Sequence, residues 1–153
     1  MNHFTYVDSP IGRLKLEADG RALTALHLRP AAGEGVEDAH AGPLPAAVRQ
    51  LAEYFAGTRR AFDLPLAPRG TPFQESVWRA LMEIPFGATA SYGEIARRVA
   101  KPGAARAVGL ANNRNPIAII VPCHRVIGAD GSLTGYGGGL PMKRWLLEHE
   151  GLR

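Results

Sequence analysis

SYGEIARRVAKPGAARAVGLANNRNP, residues 91–116, is the stretch on which the reading of this chain turns. Ser91 is followed three residues later by Glu94. That is a capping box, in which each side chain binds a free backbone N–H at the other's position, so a helix starts at Tyr92. The helix runs to about Ala100, where Lys101-Pro102-Gly103 breaks it. A second helix, "AARAVGLANN", follows and stops in an Asn-rich turn. Two short helices joined by a tight Pro-Gly turn make a helix-turn-helix pattern, which alone is a weak signal. Two features strengthen it. From Arg97 to Arg125 there are six basic residues (Arg97, Arg98, Lys101, Arg106, Arg114, Arg125) and no acidic one. Such a stretch is either a solvated face or a polyanion-binding surface. The second helix is also nearly bare, because Ala104, Ala105, Ala107, Gly109 and Ala111 leave little standing off it. It either packs closely against a neighbour or brings its backbone to a narrow surface such as the DNA minor groove, with one long arm, Arg106.

Downstream, "PIAIIV" (116–121) is apolar and β-branched, and prolines bracket it. It reads as a short buried strand that ends at Pro122, which cannot donate to a ladder. Cys123, the chain's only cysteine, then sits at a strand end beside His124 and Arg125. A free cysteine is usually an inert buried residue. A neighbouring imidazole or cation instead moves a thiol toward the thiolate, the nucleophilic form. Adjacent residues on an extended strand point to opposite faces, so a Cys123–His124 interaction requires a turn or a bridging water. Five glycines between Gly131 and Gly139 make a loop whose backbone can approach a ligand closely, with Tyr136 set among them. The loop lacks the lysine of a phosphate-binding loop. The last helix, "MKRWLLEHEG", offers Trp145 and Leu146 to the core. It carries Glu150 in its final turn, where an anion opposes the helix dipole. A charge misplaced in this way is either an indifferent exposed glutamate or one with a partner, for which a histidine or arginine near Cys123 is the obvious choice.

Upstream, Thr71, Pro72 and Gln74 form a second capping box, opening a helix with Val77, Trp78, Leu81 and Met82 on its core face. Residues 3–7, 13–18 and 22–28 read as a small antiparallel meander. Residues 29–45 read as an exposed Gly/Ala/Pro-rich loop, Leu44 to Phe55 as a helix, and "AFDLPLAP" as one more short strand. The chain of 153 residues is therefore expected to form two domains, 1–69 and 70–153. Net charge is +4. Residues 1–69 hold 8 basic and 8 acidic side chains, and residues 70–153 hold 10 and 6, so the excess lies wholly in the second domain. One cysteine allows neither an internal disulfide nor a Cys-rich zinc site. No run of roughly 18 apolar residues is present, so no membrane span is expected. A soluble, cytoplasmic protein follows.

"PCHRVIG", the "YGGG" loop, the "KRWLLEHEG" helix and "SYGEIA…ARAVGLANNRNP" together resemble the O6-alkylguanine-DNA alkyltransferases, the methylated-DNA–protein-cysteine methyltransferases. The resemblance covers about residues 70–152, with several motifs in matching order and spacing, and is looser over the first 69. It implies an α/β (α+β) fold: a small RNase H-like sheet-and-helix domain, then a mostly helical domain with a helix-turn-helix. By position, Cys123 resembles the alkyl acceptor, His124 the base that takes its proton through a water, and Glu150 the carboxylate orienting that histidine. Asn115 resembles the residue bracing the turn beneath the site. Tyr92 resembles the phenol that meets the extruded base and the adjacent phosphate, and Arg106 the finger filling the gap in the duplex. Gly93 and Ala107 fall with Tyr92 and Arg106 on the DNA-binding surface. Val126, Tyr136 and Gly137 match pocket-wall positions. Some relatives have serine at the position of Gly137, so this pocket is expected to be roomier. Others hold a structural zinc through N-terminal cysteines, which this chain lacks, so no metal is expected.

The resemblance further implies a monomer that binds double-stranded DNA through the minor groove, flips out O6-alkylguanine, and extends to O4-alkylthymine. The alkyl group passes to Cys123 in a single turnover, since water does not readily cleave a thioether. No cofactor is needed, because damaged DNA is itself the donor. Three rival readings fit these residues less well. An alkyltransferase-like lesion-binding protein lacks the acceptor cysteine, which is present here. A cysteine hydrolase generally uses a histidine distant in sequence. A helix-turn-helix regulator without chemistry leaves the Cys-His pair and the glycine loop unexplained.

Overall fold

The computed structural model describes residues 2–30 and 35–152. Residues 31–34 of the loop expected over 29–45 lie outside the described residues. The Cα positions cluster into two compact units, Met1–Arg69 and Gly70–Arg153.

In the first unit, β1 (His3–Ser9) and β2 (Gly12–Ala18) form a tight hairpin, and β3 (Leu23–His27) pairs antiparallel to β2. The expected meander is present. A short strand, β4 (Val36–Glu37), adds parallel to β1, giving the order β3-β2-β1-β4. This strand falls inside the stretch read as loop, and two residues carry no period that a sequence could show. Alternation along β2 buries Leu14, Leu16 and Ala18. Helix α1 (Leu44–Phe55) lays Leu44, Ala47, Leu51 and Tyr54 on this sheet. Gln50 of α1 is buried because its amide serves the backbone of Asp63, donating to the carbonyl at 3.0 Å and accepting from the N–H at 2.8 Å. The predicted strand at 61–68 is only a single bridge, Leu66 to Leu23. Pro65 and Pro68 bound it, and neither has an N–H to extend a ladder.

In the second unit, α2 (Pro72–Leu81) starts in the expected box: Thr71 Oγ1 accepts from Gln74 N, and Gln74 Oε1 from Thr71 N. It buries Val77, Trp78, Ala80 and Leu81. Met82, expected on the core face, is instead the C-cap and 45% exposed. Trp78 Nε1 donates to Ala111 O at 2.9 Å, tying α2 to α4 (Ala105–Asn113). Before α4 come β5 (Ala90–Ser91) and α3 (Tyr92–Arg98), and the Ser91/Glu94 box starts α3 as expected. The α3 stop is a 6→1 turn: Lys101 N donates to Ala96 O at 2.9 Å, with Ala100 left-handed at φ 59°. Then come a 3₁₀ turn over Cys123–Arg125, β6 (Val126–Ile127) parallel to β5, and α5 (Leu140–His149). Among the described residues, no helix is long and apolar enough to cross a membrane.

Candidate active site

Residues 116–121 are not the strand that their composition suggests. They are buried from Ile117 to Val121, but they wind through successive turns. Asn115 is the cause. Its Oδ1 accepts from Ile117 N at 3.0 Å, and its Nδ2 donates to Val121 O at 2.8 Å. One side chain thus takes both backbone groups that a sheet neighbour would use. Ile119 sits at φ 71°, a left-handed conformation that costs a β-branched residue on the order of 1–3 kcal/mol. Strain of that size beneath a reactive group is a feature of sites that hold a side chain in place.

The coil delivers Cys123 into a 3₁₀ turn, not onto a strand end, so Cys123 and His124 are freed from the opposite-face geometry of extended chain. Both are buried. Asn112 of α4 holds the turn by donating to Cys123 O at 3.2 Å. His124 Nε2 donates to Glu150 Oε2 at 2.8 Å. That bond fixes the neutral tautomer, with Nδ1 as the bare acceptor, and Nδ1 is buried with no hydrogen-bond partner. Burial holds His124 below its ordinary pKa, partly opposed by the Glu150 bond and charge. Burial pushes the Cys123 thiol up, opposed by Asn115 and the nearby Lys143. The resting pair is therefore a protonated thiol and a neutral imidazole whose free nitrogen can only accept.

Glu150 caps α5 and is completely enclosed, so it is the partnered anion and not an indifferent surface glutamate. It also meets Arg125, whose Nε lies 2.7 Å from Oε1 and Nη2 3.0 Å from Oε2. Arg125 Nη1 donates in addition to Ile84 O at 2.6 Å. Arg125 therefore leaves the basic surface to which its position in the sequence assigned it. The other five cations of that stretch are exposed. Lys143 and Asn112 were not anticipated. Lys143 is fully buried on α5, its ammonium donating to Val126 O at 2.6 Å and Thr134 O at 2.7 Å. Burial brings it down to about 8. A cation in the first turn of a helix opposes the dipole just as Glu150 does at the other end, and that signal was available.

The remaining candidates divide. Tyr92 opens α3, its hydroxyl 2.8 Å from Thr134 Oγ1 in the glycine loop. Arg106 and Ala107 are exposed on α4, and Gly93 lies on α3. Gly109 faces the Tyr92 ring: a Cβ there would sit 3.7 Å from it, an ordinary contact, so this face of α4 has room for little more than an alanine. Val126 is buried, and its carbonyl is taken by Lys143. Tyr136 is half-buried. A Cβ added at Gly137 meets nothing within 4 Å, so the space a serine would fill is open.

Two family models account for nearly the whole chain. "6-O-methylguanine DNA methyltransferase, ribonuclease-like domain" matches residues 2–68, and "6-O-methylguanine DNA methyltransferase, DNA binding domain" matches residues 72–152. The chain belongs to the 6-O-methylguanine DNA methyltransferase family. Its fold is the family's, a ribonuclease-like sheet domain followed by a helical DNA-binding domain. It is 56% identical over 155 residues to the methylated-DNA–protein-cysteine methyltransferase of Mycobacterium tuberculosis, covering 98% of this chain and 93% of the relative. The corresponding enzyme of Methanosarcina acetivorans is 67% identical over 105 residues, covering 69% and 67%. The crystal structure of the M. tuberculosis O6-methylguanine methyltransferase matches with TM-score 0.89 at 54% identity, covering 98% and 93%. The same organism's OGT in complex with DNA matches with TM-score 0.90 at 55% identity, covering 97% and 92%.

A neutral buried His124 makes stability depend on pH in a definite direction. Its folded pKa lies below the ordinary value of 6.5, so as pH falls the unfolded chain binds a proton first. Stability from this group is intact above pH 6.5 and is lost progressively as pH falls toward the folded value. The urea midpoint should drop between about pH 7 and about pH 5.5, and the drop should shrink in His124→Asn. Equal slopes in the two proteins would contradict the assignment.

Proposed function

We propose that this protein is a methylated-DNA–protein-cysteine methyltransferase that takes the alkyl group of O6-alkylguanine in double-stranded DNA onto Cys123. The observation that carries this reading is the Cys123–His124–Glu150–Arg125 series, a buried thiol beside a neutral imidazole with one bare nitrogen. The target carbon lies inside the base stack, so the nucleotide must first be flipped out, at a few kcal/mol. The five exposed cations from Arg97 to Arg114 supply phosphate contacts that help offset this. Arg106 enters from the minor-groove side and fills the vacated place, with Gly93 and Ala107 allowing the backbone close. Residues 70–153 carry DNA binding and chemistry, and residues 1–69 form the companion domain.

His124 takes the thiol proton through a water at Nδ1, and Glu150, held by Arg125, stabilises the imidazolium that forms. The thiolate displaces the purine from the alkyl carbon, and Tyr92 donates to the departing ring. Asn115 keeps the turn under Cys123 rigid. Val126, Tyr136 and Gly137 line the pocket, whose open side at Gly137 admits alkyl groups larger than methyl and O4-alkylthymine. The product is a thioether, whose carbon–sulfur bond water does not readily cleave, so each chain acts once. The protein works as a monomer in the cytoplasm, where Cys123 stays a free thiol. No cofactor is involved.

The test is a duplex with one O6-methylguanine and increasing protein. Guanine should be restored up to one lesion per chain and no further. Continued turnover, or no restoration, would refute the proposal. Arg106→Ala should slow repair of the duplex by roughly tenfold or more, while reaction with a free O6-alkylguanine base changes little. Equal losses on both substrates would remove the finger role.

A further inference from the structure

Tyr92 is held from two directions that its proposed role does not require. Its ring lies over Gly109, where α4 has no side chain. Its hydroxyl is 2.8 Å from Thr134 Oγ1, across 42 residues of sequence, and makes only a long 3.5 Å contact with Thr134 O. Thr134 stands in the glycine-rich loop, where a wandering backbone would be expected, yet it is anchored from below. Its carbonyl accepts from Lys143 Nζ at 2.7 Å, and the same ammonium binds Val126 O, just past the Cys123 turn, at 2.6 Å. Its neighbour Gly135 lies so close to Asn113 of α4 that a Cβ would meet Asn113 Nδ2 at 3.2 Å. Lys143 thus ties the backbone just past the Cys123 turn to the backbone of Thr134, whose hydroxyl meets the Tyr92 phenol.

Each of two hydroxyls in contact has one proton to donate and lone pairs with which to accept. When Thr134 donates to Tyr92 Oη, the phenol's own proton is left for another acceptor, and the bond polarises the phenol as a donor. We infer that Thr134 is a positioning residue for alkyl transfer: its hydroxyl, fixed through Lys143, donates to Tyr92, aims the phenol proton at the extruded base, and supports the negative charge left on the phenol oxygen. The inference rests on the reading of Tyr92 as the donor to the leaving purine.

The balance closes without a co-reactant. The Cys123 S–H proton goes to His124, a new S–C bond forms, and the C–O6 bond breaks with its electron pair passing into the purine. Tyr92 gives one proton to the ring, and His124 has gained one, so exchange through solvent restores both.

The experiment is single-turnover methyl transfer from an O6-methylguanine duplex at saturating protein, comparing wild type, T134V, T134S, Y92F and Y92F/T134V. Thr134 is exposed, so valine and serine are tolerated there. T134V should slow the first-order step by about five- to tenfold, the worth of one hydrogen bond to a developing charge, with DNA affinity unchanged. T134S should recover to within about twofold of wild type, because the hydroxyl is retained. In the Y92F background, T134V should have no further effect, since the oxygen it serves is gone. If T134V slows Y92F by the same factor as wild type, Thr134 only shapes the loop and the inference is wrong. A wild-type rate for T134V alone also overturns it. Loss through failure of the broader reading looks different: wild type itself then transfers no methyl, or Y92F transfers as fast as wild type.

Discussion

Cys123→Ala is expected to abolish methyl transfer while affinity for a lesion-bearing duplex stays within about threefold of wild type. Cys123 is the only cysteine in the chain, so no second thiol can substitute. The hydroxyl of Cys123→Ser is a far weaker nucleophile than a thiol and should be equally inactive. Binding should survive because the exposed cations and Arg106 lie on α3, the turn after it and α4, whereas Cys123 sits in a separate buried turn. The side chain is small, and the turn is held by groups other than sulfur: Asn112 on the Cys123 carbonyl, and Asn115 on Ile117 and Val121. Gel shift with an O6-methylguanine duplex and methyl-transfer assays on the same preparation separate the two properties. Residual transfer by Cys123→Ala would place the acceptor elsewhere.

Arg125→Met is expected to lower stability by about 3–5 kcal/mol, the usual effect of removing one partner from a buried ion pair. Arg125 makes two bonds to Glu150 and one to Ile84 O, all in the interior. Methionine fills much of the volume but takes both guanidinium bonds away from Glu150, which stays charged in a dry site and keeps its bond to His124. Against a typical total of about 5–15 kcal/mol, the variant would be marginal at 37 °C. Arg125→Lys should recover only part, since an ammonium cannot match the planar fork. The cause can be isolated by a cycle. In Glu150→Gln the buried charge is absent, so removing Arg125 should cost clearly less than in wild type. Urea unfolding of the four proteins measures this. If Arg125→Met lies within about 1 kcal/mol of wild type, the pair contributes nothing measurable and Arg125 is not what holds Glu150.

What the sequence displayed and what it hid follow the range of the interactions involved. Both capping boxes were legible because each joins residues three apart, Thr71 to Gln74 and Ser91 to Glu94. Glu150 was legible as a partnered group because the dipole of its own helix makes an anion there unfavourable. Lys143 carries the mirror-image signal, but nothing in a string of letters separates a buried lysine from an exposed one. The 116–121 run was misread for a different reason. Six apolar residues have too few turns to show a period, and the decision belongs to Asn115, whose side chain replaces a sheet neighbour. Arg125 shows the limit of charge counting, which locates a basic stretch but not which of its members points inward. The Cys123–His124 relation depended on the same local geometry, and the 3₁₀ turn removes the obstacle that an extended chain would pose.

The measurement closest to the central claim is the intact mass of the protein after incubation with an equimolar duplex carrying one O6-methylguanine, followed by peptide mapping. The expected result is a gain of one methyl group per chain, carried on Cys123, with unmodified guanine left in the duplex. Repair with the protein mass unchanged, or a methyl found on any other residue, would contradict it.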